Sequence, residues 1–151
     1  MQKLAALSAF LINKGYTAVN QFDAMAEDCE VLPLFRDDGE GFTLYELKYT
    51  AAFYFDNFNS RQRSALELFA QIVVWLNKYD PERYDSDDLK LYFDIDVQDD
   101  DVADVEFKVD FTESVGIVPD VNGPIDIAGE RYRLDDVPVW VATEGEVVTN
   151  D

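Results

Sequence analysis

The sequence predicts an α+β fold: an antiparallel sheet of about four strands packed against two helices, with a small C-terminal β-hairpin or arm. Three observations predict it. From Tyr45 to Phe55 each odd position is apolar or aromatic (Tyr45, Leu47, Tyr49, Ala51, Phe53, Phe55), while Glu46, Lys48, Thr50, Ala52 and Tyr54 fill the even ones. That is the period of a half-buried strand. The spacing changes to 3.6 across Ala65, Leu68, Phe69, Ile72, Trp75 and Leu76, which is helical. It returns to two at Leu89, Leu91, Phe93, Ile95 and Val97, and Val105, Phe107, Val109 and Phe111 follow at hairpin spacing.

Each element has its own signal. Leu4, Leu7 and Leu11 share one face of a helix from about Gln2 to Lys14, closed by Lys14 and Gly15. Lys3 ahead of the apolar run Leu4 to Ile12 has the outline of a secretory leader, but no small-x-small cleavage site follows that run before Asn13, Lys14, Gly15 and Tyr16. The helical reading is therefore preferred, and the protein is expected to be cytoplasmic where it is made. Gly15 to Glu30 shows no assignable period. Val31 to Phe35 reads as a short strand, and Asp37, Asp38 and Gly39 to Gly41 as a turn into the long strand from about Phe42 to Asp56.

Asn57, Asn59 and Ser60 offer N-cap oxygens for the central helix, which Asp80 and Pro81 end. Leu66, Val73 and Val74 widen its apolar stripe beyond what one sheet needs. These three residues and Tyr54 are expected to be core or subunit interface. Gln98 to Asp101 makes the turn between the third and fourth strands. Beyond Val118, Asn122, Gly123 and Pro124 break the pattern. Ile125 to Ile127 can pair with Arg131 to Leu134 around Gly129, and Val137 to Val141 with Glu146 to Val148 around Gly145. The expected organisation is a domain over 1–118 and a hairpin extension over 119–151.

Composition narrows the function. The chain has 151 residues, 48% of them hydrophobic and 14% aromatic, enough for one core and unlike a disordered acidic tail. Its 32 acidic and 12 basic residues give a formal charge of −20, which repels phosphate backbones. Between Asp85 and Asp110 ten aspartates and one glutamate face two lysines, so the charge is local. An Asp-rich surface also serves solubility in a salty source. Histidine is absent and Cys29 is the single cysteine, which excludes an intrachain disulfide and a His/Cys metal site. With Glu27, Asp28 and Glu30 disfavouring the thiolate, Cys29 reads as a small buried hydrophobe.

Catalytic chemistry finds no support. A calcium loop at Asp94, Asp96 and Gln98 fails because its sixth position is Asp99 and its twelfth Val105, where glycine and a bidentate glutamate are required. No phosphate-cradling glycine loop, nucleophile elbow or nucleotide fingerprint occurs, and no acid pair is singled out for acid–base work. The expectation is a non-enzyme without catalytic, cofactor-binding or metal-binding residues. The acidic hairpin carries a different message. Asp94 and Asp96, with Asp104, Glu106 and Asp110, share the face opposite Phe93, Ile95, Phe107 and Val109. Two like charges about 5 Å apart in water repel by about 0.8 kcal/mol, so that face stays solvated or finds cations.

Lys48-Tyr49-Thr50, Asp56-Asn57-Phe58, Trp75-Leu76 before Pro81, Phe93-Asp94-Ile95, Phe111-Thr112-Glu113 and the final stretch Val139 to Val148 with Gly145-Glu146 together resemble the tail completion protein R family of temperate contractile-tailed (peduovirus-type) phages. The resemblance is best from Phe42 to Val118. It implies a tail terminator: a virion structural protein of the neck region, assembled in the host cytoplasm. As a hexameric ring it would cap the head-proximal end of the tail tube, ending tail growth and preparing the tail for head joining. Implied partners are further copies of itself, the tail tube protein, the sheath and the head-proximal connector. DNA would pass the acidic face Asp94, Asp96, Asp104, Glu106 and Asp110 without specific binding, and no membrane is involved. The competing reading is an acidic DNA mimic that inhibits a nucleic-acid enzyme; such a mimic would spread its carboxylates over an elongated surface instead of one hairpin.

Overall fold

Local capping sets the ends of both helices in a computed structural model that describes residues 1–85 and 91–135. Helix α1 (Gln2–Lys14) stops where Gly15 turns left-handed (φ 69°) and donates its N–H to Ile12 O, a conformation that glycine adopts without a Cβ penalty. Helix α2 (Ala65–Tyr79) starts at Ser64, whose hydroxyl accepts from the Leu66 N–H at 3.1 Å. The cap expected at Asn57, Asn59 or Ser60 is thus corrected to Ser64. The strand before it runs on to Asn59, and the Asn59 side chain accepts from the Arg61 and Gln62 N–H groups in the connecting turn instead.

The strands are β1 (Phe22–Asp37), β2 (Phe42–Asn59), β3 (Tyr92–Val97), β4 (Val102–Pro119), β5 (Ile125–Ile127) and β6 (Glu130–Asp135). All pair antiparallel in one sheet ordered β1-β2-β4-β6-β5, with β3 also on β4. The α+β class holds, but the sheet has six strands where about four were expected. The first difference is β1, a 16-residue strand where only Val31 to Phe35 was expected. It is kinked between Glu27 and Glu30 and between Pro33 and Arg36, with Asp28 (φ 53°) and Phe35 (φ 51°) left-handed. The second is the β5–β6 hairpin around Gly129. It forms, but β6 continues the sheet by pairing Gly116–Pro119 of β4. The pairing expected around Gly145, and Leu89 of the third strand, lie outside the described residues.

One face of the sheet buries Tyr49, Ala51, Phe53, Phe55 and Phe58 of β2 and Val105, Phe107, Val109 and Phe111 of β4. Stacked rings run across it, Phe53 on Phe107 at 5.7 Å and Phe107 on Phe93 at 5.0 Å. Helix α1 covers it with Ala6, Leu7 and Leu11, and α2 with Leu68, Ile72, Trp75 and Leu76. The C-terminal end of α2 reaches Phe111 through Trp75, and the N-terminus of α1 reaches Glu113. Beyond that level no described helix covers the sheet.

This arm, which no described helix covers, consists of Phe42–Lys48, the matching length of β1, the end of β4, and β5–β6, and Leu47 at its base still packs against the core. Its tip is held by Phe42, whose ring contacts Phe35 at 5.2 Å and Tyr132 at 5.6 Å beside buried Ile117. Gly41 permits that closure, because a Cβ there would lie 2.0 Å from Ile117 O.

Candidate functional site

The expected acidic face exists as a ladder. Asp94 lies opposite Glu106 and Asp96 opposite Asp104, all on the face of the sheet away from the helices. Like charges in directly opposed positions destabilise a strand pair, and the local relief is partial. Lys108 bonds Glu27 at 3.0 Å and Glu106 at 3.4 Å, and the two hydrogen bonds raise its pKa above the usual lysine value. Asp104 accepts the Asn57 N–H at 3.1 Å, and Asp110 accepts the Thr50 hydroxyl at 2.6 Å. Among the described residues no side-chain hydrogen bond or ion pair reaches the Asp94 or Asp96 carboxylate, and Gln98 donates only to the Asp96 backbone carbonyl, at 3.4 Å. Tyr54 belongs to this face, opposite Glu106, with its hydroxyl 3.3 Å from Glu27. Burial, then the charges of Glu106 and Glu27, raise its pKa.

Leu66, Val73 and Val74 lie elsewhere. They are 77%, 46% and 64% exposed, on the side of α2 turned away from the sheet, so they are not core and do not join Tyr54. Their spacing of i, i+7 and i+8, with exposed Ala70 at i+4, makes a second apolar stripe. It borders the sheet edge where Phe69 meets Phe93 at 3.6 Å between ring centroids and where Ile95 and Val97 of β3 are exposed. Cys29, expected to be buried, is exposed on β1. It follows left-handed Asp28 in the first kink, where the ladder to β2 is interrupted.

A polar junction that sequence reasoning missed joins the helices to the sheet where the covered half ends. Asp80, 3% exposed, takes Lys3 Nζ at 2.6 Å on one oxygen and Arg83 at 2.7 Å on the other. The same two cations donate onward to β4 carbonyls, Lys3 to Thr112 O and Arg83 to Asp110 O. These carbonyls belong to the stretch of β4 between its pairings with β3 and β6. Glu113 accepts the Gln2 and Lys3 N–H groups at 2.9 and 3.0 Å, capping α1 with a carboxylate where the helix dipole favours one. Tyr49 donates its hydroxyl to Glu113. Burial first, then that acceptor, push the Tyr49 pKa far above the phenol range. The one signal in the sequence was Glu113 itself, an acid at an odd position that continues the apolar series of β4.

At the other end of the helices, Tyr16 donates to Glu67 and Arg63 bridges Glu67 to Lys14 O. The Tyr16 hydrogen bond, followed by that of Arg63, lowers the Glu67 pKa. The contact therefore stabilises the fold above the ordinary carboxylate pKa and is lost as pH falls through the depressed one.

No cluster of three His, Cys, Asp or Glu side chains among the described residues is arranged to hold a metal ion, and no described helix is long and apolar enough to cross a membrane. No solved structure matches the chain. It is 34% identical over 144 residues to an uncharacterized 19.2 kDa protein from the rep-hol intergenic region of Haemophilus phage HP1 (strain HP1c1), an alignment covering 94% of this chain and 87% of that protein. The model of the P2 phage tail completion protein R (GpR) family matches residues 1–136, and the chain belongs to that family of phage tail structural proteins.

Proposed function

We propose that this chain is the subunit of a hexameric ring that caps the head-proximal end of the tail tube, ends its growth and presents a face for head joining. Membership of a tail completion family carries the reading. The divided surface supports it: one sheet face acidic and open, the opposite side apolar on the outside of α2 and on the arm. In a ring the apolar surfaces meet neighbouring copies, while Asp94, Asp96, Asp104, Glu106 and Asp110 line the passage. A negative lining lets DNA slide through, because no phosphate contact releases counterions. The tube protein binds one end of the ring, and the connector, with the sheath alongside, meets the other.

Phage grown without a functional copy of the gene tests this by electron microscopy of the tails. Tubes of irregular or excess length that fail to join heads are expected, with wild-type length restored by the gene in trans. Tails of normal length carrying heads in its absence would sink the reading. For the lining, changing Asp94, Asp96, Asp104 and Glu106 together to lysine is expected to leave rings intact while slowing DNA exit. Unchanged ejection kinetics in that variant would remove the acidic face from the passage.

A further inference from the structure

We propose that the outer apolar face of α2 in one copy packs on the bare sheet face of the arm in the next copy. The proposal rests on the ring reading for its setting, while the contact is argued from the two surfaces. The arm's face lies on the side of the sheet that α1 and α2 cover further along. It presents Val31 (57% exposed), Phe35 (58%) and Leu134, with half-buried Tyr45, Leu47 and Val115 between them. Val31 pairs with Leu47 and Tyr45 with Val115, so these side chains share one surface. It continues the seat on which helices already pack.

The occupant is on the same chain. Leu66, Ala70, Val73 and Val74 give α2 a second apolar stripe, and the first is spent on its own sheet through Leu68, Ile72, Trp75 and Leu76. The outer stripe is on the side of α2 turned away from its own sheet, so a second copy brings the two surfaces together. The lengths are compatible. The stripe from Leu66 to Val74 spans about 13 Å at about 1.5 Å per residue, and Phe42–Lys48 spans about 23 Å at about 3.3 Å per residue, so the stripe fits within the arm. Charge points the same way. Two chains of −20 meet most cheaply through faces that leave the carboxylate ladder outside the contact, and the ladder is on the opposite side of the sheet. Because the mating surfaces differ, the contact is heterologous, and it propagates until the rotation closes a ring.

The native Cys29, exposed on β1 at the base of the arm beside Glu30, provides the test. Leu66→Cys and Val74→Cys are made separately in the full chain, and tails assembled during phage growth are treated with a flexible thiol cross-linker. The expected result is a ladder extending beyond dimer for at least one variant, absent from the unmodified chain and abolished by Cys29→Ser. Dimers alone would mean a symmetric contact, and tails that hold the variants without cross-links would mean another surface; either overturns the proposal. If the chain is missing from tails altogether, the capping function fails instead. The same cross-link on the purified chain at high concentration then decides the contact by itself, a ladder supporting it and its absence overturning it.

Discussion

The covered and bare halves of the sheet share strands β1, β2 and β4 and the same alternation, yet they end in different environments. Along β2, Tyr49, Ala51, Phe53, Phe55 and Phe58 face the two helices and are buried, whereas Tyr45 and Leu47 one turn of the pleat away are only half-buried. The change falls at Asp80 and Glu113, where both helices end. Alternation therefore records which face of a strand is apolar but not what covers it. In the first half the cover is intramolecular. In the second, the exposed apolar side chains are the kind of surface that soluble monomers keep small.

The largest expected effect breaks the covered half. Phe53 is fully buried between Phe22 and Phe107. Phe53→Ala removes a ring from a close-packed layer and is expected to cost about 3–5 kcal/mol, a fall in melting temperature of roughly 10 °C for a chain this long. Urea or thermal unfolding measures it. A loss below about 1 kcal/mol would mean that the layer can collapse around the void and is not the fold's main anchor.

The same contrast explains how far the sequence could be read. Helix α1, the turns at Gly39 and Gln98, and the body of α2 follow directly from period and capping residues, and they stand where expected. β1 was legible only over Val31 to Phe35. Its kinks at Asp28 and Phe35 shift the phase of alternation, and its covered part presents small residues, Ala24 and Ala26. The far end of β4 was hidden by Glu113, a charged residue on the apolar face that answers to the N–H groups of a helix more than a hundred positions away. The acidic ladder was legible because it needs only the parity of two strands. The junction at Asp80 was not, since it is made by three segments distant in sequence.

That junction gives the next largest effect. Asp80→Ala leaves Lys3 and Arg83 without their buried partner, and breaking a buried ion pair from one side costs about 3 kcal/mol or more. The cost should be local in its consequences. Hydrogen exchange is expected to rise first in the opening turn of α1 and the closing turn of α2, with Phe53 and Phe107 still protected until global unfolding. Replacing Lys3 with methionine in the same chain should return part of the loss. A variant as stable as the parent would show that the helices are held by their apolar faces alone and that the boundary between the two halves is not set at Asp80.

The smallest expected effect on stability is the sharpest test of the comparison. Val31 has the same alternation signal as the core positions of β2 and faces the same side of the sheet, but no described helix covers it. Val31→Ser should therefore shift the urea midpoint of the isolated chain by no more than the equivalent of about 0.5 kcal/mol, as surface substitutions do. In assembled tails the same change should reduce incorporation of the protein, because the apolar area is buried only against a neighbour. The two readouts have to separate. A midpoint loss comparable to a core deletion would mean that the arm is stabilised within the subunit, and normal incorporation would mean that its apolar face stays bare in the particle; either result would erase the distinction between a half of the sheet that folds the chain and a half that joins it to the next.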